Sequence, residues 1–229
     1  MNTKKQTVKF VIDENLDIKN HLIGLNVYKS KLHSGTQQKQ EKYEKLLKMP
    51  DLKRISFLKK DLQNFYLPNK KKFRDALVQD LNNEWAKIDK EFFKRLEKVH
   101  ANPFPYKLIK GVLSTANRFG YNTNDGRFAT SMFNNKFISA DVAMHEIMHF
   151  MFHKYFWKLC KDKGLDEKQT WDIKEVFTVL LNLEFSDLRF QPDRGYPEHI
   201  EIRKIIEKSW RKNKDFNKAL ETVINFLKH

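Results

Sequence analysis

Val142-Ala143-Met144-His145-Glu146-Ile147-Met148-His149-Phe150-Met151-Phe152 is the stretch on which the reading of this chain turns, an HExxH pentapeptide set in an apolar run. On a helix that advances about 100° per residue, positions i and i+4 lie about 40° apart and about 6 Å along the axis. The imidazoles of His145 and His149 can therefore converge on one Zn²⁺, with Glu146 one residue round, beside the metal. From there the Glu146 carboxylate can take a proton from water that the metal acidifies to a pKa of about 7. Chance supplies three such fixed positions in on the order of one chain per hundred of this length, so the setting has to decide. Residues 142–157 are apolar almost all round the helix, which predicts burial. Two histidines and a glutamate buried there without partners would cost several kcal/mol, so they require something to bind. Satisfied core histidines are the other reading.

Working outward, Ser139 is a suitable N-cap for this helix, about two turns before His145, and Lys161-Asp162-Lys163-Gly164 closes it. Upstream, Tyr106–Leu113 and Phe128–Phe133 read as strands joined by the loop Gly120-Tyr121-Asn122-Thr123-Asn124-Asp125-Gly126, which predicts a long hairpin. Ala101-Asn102-Pro103-Phe104-Pro105 breaks the pattern and divides a helical region, 1–100, from a second region, 101–229. In the first, Thr7–Ile12 reads as a strand. Residues 37–49 and 51–66 read as helices broken at Met49-Pro50. A long amphipathic helix follows from about Asn69 to Val99, where Phe73, Leu77, Leu81, Trp85, Ile88, Phe92, Leu96 and Val99 recur at spacings of three and four. After the HExxH helix, further helices are expected from about 169 to 185, 198 to 211 and 214 to 228. The fold class is thus α+β, mainly helical, with a small antiparallel sheet.

At 229 residues the chain can bury a full core, and its lone Cys160 excludes an intramolecular disulfide. The N-terminus carries Lys4 and Lys5 but an apolar run too short for a signal peptide, and no stretch reaches the 18 or so apolar residues of a membrane span. A cytoplasmic protein is expected. The net charge of +15, from 44 Lys and Arg against 29 Asp and Glu, can attract nucleic acid. Because lysine is spread along the whole chain, a solvated surface is the competing reading.

A catalytic zinc needs a third protein ligand and an open position. His153 lies about 12 Å of helical rise from His145, too far to share the ion. In the helix that follows, Glu175, Thr178 and Asn182 form one polar stripe among apolar residues, and that stripe needs something polar to face. Glu184 projects from the opposite side. Glu175 is therefore the candidate ligand, its competing reading being an exposed early-helix carboxylate favoured by the helix dipole. Asp141, one turn before His145, can orient that imidazole or merely sit in a first helical turn. Tyr196 and His199, after the turn Pro192-Asp193-Arg194-Gly195, are candidates to stabilise a transition-state oxyanion, with Arg203 one turn beyond; a surface turn is the bland alternative.

With these residues in hand, the chain resembles the zincin metallopeptidases, and within them the gluzincins, over about residues 107–185. The resemblance implies a zincin-like catalytic domain cleaving protein or peptide substrates. In it His145, His149 and Glu175 bind Zn²⁺ and Glu146 is general base. It also implies an edge strand before the active helix, here Gly126–Phe133, that holds substrate as an added strand, a plain structural strand being the equal alternative. Val179 stands where the best-known gluzincins carry a second acidic residue. The metzincin pattern is absent, since Phe152 and Tyr155 occupy its glycine and third-histidine positions. The rival from another class is a non-catalytic, basic protein that binds nucleic acid; a peptidase acting on DNA-bound proteins would combine the two.

Overall fold

A computed structural model describes residues 7–30, 37–116 and 120–228; Lys4 and Lys5 lie outside the described residues. In chain order the elements are β1 (Val8–Val11), α1 (Glu14–Ser30), α2 (Gln37–Leu47), α3 (Asp51–Tyr66) and α4 (Lys71–His100). There follow β2 (Ile109–Ser114), β3 (Tyr121–Asn122), β4 (Arg127–Ser131), α5 (Lys136–Tyr155) and α6 (Trp157–Asp162). The chain continues through α7 (Glu167–Val176), α8 (Leu180–Glu184), α9 (Ile200–Asn213) and α10 (Phe216–Lys228). The architecture is α+β, mostly helical, with a four-stranded sheet of order β1-β2-β4-β3. No described helix is long and apolar enough to cross a membrane.

The helices follow the apolar spacing. On α4 the stripe is buried from Leu81 through Trp85, Phe92, Leu96 and Val99, each burial being favourable by about 1.5–3 kcal/mol, whereas Phe73 at its start is exposed. α1, which the spacing does not announce, buries Asp17 and His21 beside Ile18 and Leu25, so polar residues interrupt its inner face. α5 starts at Lys136, three residues before Ser139, which lies buried within the helix and is not its cap. The HExxH helix also breaks at Phe156, and the following α6 closes on Gly164, whose positive φ of 85° suits a helix end. Similarly, the helix expected over 169–185 tightens to a 3₁₀ turn at Phe177–Val179 between α7 and α8.

The sheet is mixed, not antiparallel. β2 pairs with β4 in parallel, Val112 opposite Ala129, and only the two-residue β3 runs antiparallel to β4. The long hairpin expected between β2 and β4 is therefore a crossover connection. Its turn residues do form a hairpin, but a short one between β3 and β4: Asn122 Oδ1 accepts from the Asp125 amide at 3.0 Å, and Gly126 takes φ +56°. β4 is consequently an inner strand, not the edge strand that the resemblance implied. Gly111 on β2 admits the edge-on rings of Phe10 and Phe128, 5.9 Å apart; a Cβ there would lie 2.6 Å from the Phe10 ring.

The chain folds as two compact units. One holds Lys9–Asn83 and Lys110–Asn135, with the sheet and α1 to α3. The other holds Glu84–Ile109 and the chain from Lys136 onward, so the Pro-containing break at 101–105 falls inside it. All the residues of the candidate site belong to this second unit.

Candidate metal centre

α5 is buried along most of its length, and His145 and His149, one turn apart, point to the same side. Glu175, in the last turn of α7, meets them there. His145 Nε2 and His149 Nε2 are 3.1 Å apart, and Glu175 Oε2 lies 3.5 and 3.6 Å from them. A tetrahedral zinc with donors at about 2.0–2.1 Å would hold its donors about 3.3 Å apart. A circle through the three atoms has a radius of about 2.0 Å, so one point near their plane is at bonding distance from all three. Among the described residues this trio is the one cluster of His, Cys, Asp or Glu with such convergence. The three residues fit a zinc ion.

His145 is braced from behind. Its Nδ1 lies 2.7 Å from Asp193 Oδ2, which fixes the tautomer that leaves Nε2 for a metal. Asp193 sits in a loop, and every one of its polar groups is engaged. Oδ1 accepts from Arg203 Nη1 at 2.9 Å and from Thr178 Oγ1 at 2.9 Å. Its backbone amide donates to Asn182 Oδ1, and its carbonyl accepts from Asn182 Nδ2 and Arg203 Nη2. The polar stripe of Glu175, Thr178 and Asn182 therefore divides its work: Glu175 faces the histidines, the other two hold Asp193. Gly195, at φ +64°, leaves room for Arg203, whose Nη1 would lie 2.7 Å from a Cβ there.

Asp141 does not orient His145. Its carboxylate accepts from the backbone amides of Phe190 and Gln191, at 3.1 and 3.0 Å, and so ties down the loop that delivers Asp193. Glu184, the rejected ligand, is committed elsewhere, to Trp210 Nε1 at 2.7 Å and to Lys214. His153 stacks on Trp157, ring centroids 4.4 Å apart, and takes no part in the donor set.

The electrostatics follow from three charged groups packed around the two histidines. Burial opposes a charge on His145, but the bonds to Asp193 and Glu175 outweigh it and hold the imidazolium up to about 10. Against their own burial, Glu175 and Asp193 are pulled down to about 2, the former by His145 and Lys174, the latter by His145 and Arg203. Burial, then Lys174 and His145, push His149 well below its ordinary value, so it stays neutral with a lone pair to donate. A proton on His145 thus takes the cation's part, and an ion binding there would displace it. Burial raises Glu146, partly offset by the charges of His145 and Lys174; among the described residues no hydrogen bond holds its carboxylate.

Lys174 is almost fully buried, with Nζ 2.7 Å from Glu175 Oε1 and 3.7 Å from the centre of the Trp171 ring. Burial lowers its pKa, and Glu175 counteracts this. Of the downstream candidates, His199 is buried with Nε2 3.2 Å from Asp172 Oδ1, one turn before Glu175 on α7. Tyr196 is half exposed, its ring edge-on to His199 at 5.5 Å. Arg203 serves Asp193. Two residues escaped the sequence reading, Asp193 and Lys174. For Asp193 the signal was present in the unexplained faces of Thr178 and Asn182; for Lys174 it was a lysine inside an apolar helical stretch beside a candidate ligand. Compared with models of known protein families, with curated proteins and with solved structures, the chain matches none.

Proposed function

We propose that this chain is a zinc-dependent peptidase of the zincin type, with His145, His149 and Glu175 as ligands and protein or peptide as substrate. The observation that carries the reading is the triangle of two imidazole nitrogens and one carboxylate oxygen, 3.1 to 3.6 Å on a side, in a partly buried site whose helix bears an HExxH motif. When bound, the ion supplies Lewis acidity, lowering the pKa of water to about 7 and polarising a carbonyl. Glu146, adjacent in sequence to the first ligand and shielded from bulk water, accepts the proton of the attacking water and returns it to the leaving amine. Its raised pKa suits a group that must do both. Asp193 keeps His145 in the metal-binding tautomer. Tyr196 and His199 remain the candidates to donate a hydrogen bond to the tetrahedral oxyanion, His199 being anchored by Asp172.

The test is elemental analysis of protein purified without chelator, paired with hydrolysis of a broad peptide library. About one zinc per chain is expected, with cleavage by the wild type and loss of about 10²–10⁴-fold in kcat for Glu146→Gln at unchanged zinc content. A Glu146→Gln variant as active as the wild type, or a wild type free of metal, would overturn the assignment.

A further inference from the structure

Glu175 uses its two oxygens for different tasks. Oε2 is the atom that closes the donor triangle, 3.5 Å from His145 Nε2 and 3.6 Å from His149 Nε2. Oε1 faces the ammonium of Lys174 at 2.7 Å. That ammonium is placed with care: the side chain is 1 % exposed, and the Trp171 ring lies 3.7 Å beneath it. Trp171 in turn meets Trp157 edge-on at 5.9 Å, and Trp157 stacks on His153, so an aromatic wall backs the lysine. Burying an ammonium is costly, and an ion pair in such a place seldom outdoes apolar packing in stability. The arrangement calls for another reason.

A carboxylate without a partner on its second oxygen can bring both oxygens onto a zinc ion. Three ligands would then supply four donor atoms, and with the water the site would be crowded to five. We propose that Lys174 is a positioning residue that holds Glu175 Oε1 away from the metal, so that Glu175 coordinates through Oε2 alone and the fourth position stays open. This rests on the zinc reading above.

Cobalt tests it, because Co²⁺ in a four-coordinate site absorbs visible light several times more strongly than in a five-coordinate one. The wild type loaded with one Co²⁺ per chain should give the intense four-coordinate spectrum. Lys174→Met, of similar length but uncharged, should bind Co²⁺ with the weaker five-coordinate spectrum, and Lys174→Arg, which can still bond Oε1, should restore the intense one. A Lys174→Met spectrum identical to that of the wild type overturns the inference while leaving the metal site standing. A wild type that takes up no cobalt overturns the zinc reading itself. Should Lys174→Met fail to fold, X-ray absorption on the zinc-loaded wild type decides: one carboxylate oxygen at about 2.0 Å supports the inference, two overturn it.

Discussion

Asp17 is a fully buried carboxylate and Glu175 a partly buried one, one in each compact unit, and their surroundings differ in kind. Around Asp17 every neighbour is a donor. Oδ1 accepts from Ser114 Oγ at 2.5 Å and the Thr115 amide at 2.9 Å; Oδ2 accepts from Thr115 Oγ1 at 2.7 Å and Tyr66 Oη at 3.0 Å. His21 Nε2 adds a bond to Thr115 Oγ1 at 2.9 Å. Both oxygens of Asp17 are thus paired twice, while His21 Nδ1, on the far side of its ring, is buried without a partner among the described residues. Around Glu175 the partners are cations and imidazoles: Lys174 Nζ stands 2.7 Å from Oε1, and the Nε2 atoms of His145 and His149 lie 3.5 and 3.6 Å from Oε2. A carboxylate closed off by hydroxyl and amide donors is thus told from one that shares its surroundings with two imidazoles and an ammonium.

The contrast can be broken most forcefully at the donors. His149→Ala or Glu175→Ala should abolish stoichiometric zinc binding in a competitive chelator titration, whereas Glu184→Ala should bind as the wild type does. Retention of tight binding by Glu175→Ala would place the third donor elsewhere. Next in size, Asp17→Ala should cost on the order of 4 kcal/mol in urea unfolding, because four hydrogen bonds to one fully buried side chain go at once, while the soluble fraction keeps its zinc. A loss under about 1 kcal/mol would show that the Asp17 web contributes little.

Acid should act on the same web. Burial, with Lys42 nearby, lowers His21 to about 4 against the opposing pull of Asp17 and Asp61. Because the folded pKa lies below the ordinary 6.5, the stability due to a neutral His21 is complete above pH 6.5 and is lost as pH falls towards 4. The wild type should lose up to about 3 kcal/mol more than His21→Gln across that window; parallel curves would refute the assignment. The smallest effect is expected behind the ligand: Asp193→Asn should weaken zinc binding by about 10–100-fold and leave the stoichiometry at one, since the brace and not a donor is altered. Unchanged affinity would reduce Asp193 to a loop anchor.

What the sequence disclosed is what is local. Two histidines four residues apart on a helix must share a face, and the long stripe on α4 declares itself over several turns. The Glu175 stripe was legible for the same reason, although what faced Thr178 and Asn182 was not. Asp193 lies on a loop without period, in a Pro-Asp-Arg-Gly turn, and its partnership with His145 spans 48 residues. The parallel pairing of β2 with β4 is equally non-local, while the Asn and Gly of the intervening loop pointed to a hairpin that exists one strand away. α1 stayed hidden because Asp17 and His21 occupy the face where apolar residues would have marked it.

The separation of His145 and Asp193 along the chain also sets a schedule. Synthesis at about 5–20 residues per second delivers Asp193 about 2 to 10 s after His145, with Glu175 between them. During that interval the growing polypeptide displays the pentapeptide yet lacks both the third donor and the carboxylate that turns the first imidazole. The cluster on α5 and α7 is thereby unbraced in the newborn chain until the segment after α8 has left the ribosome and docked.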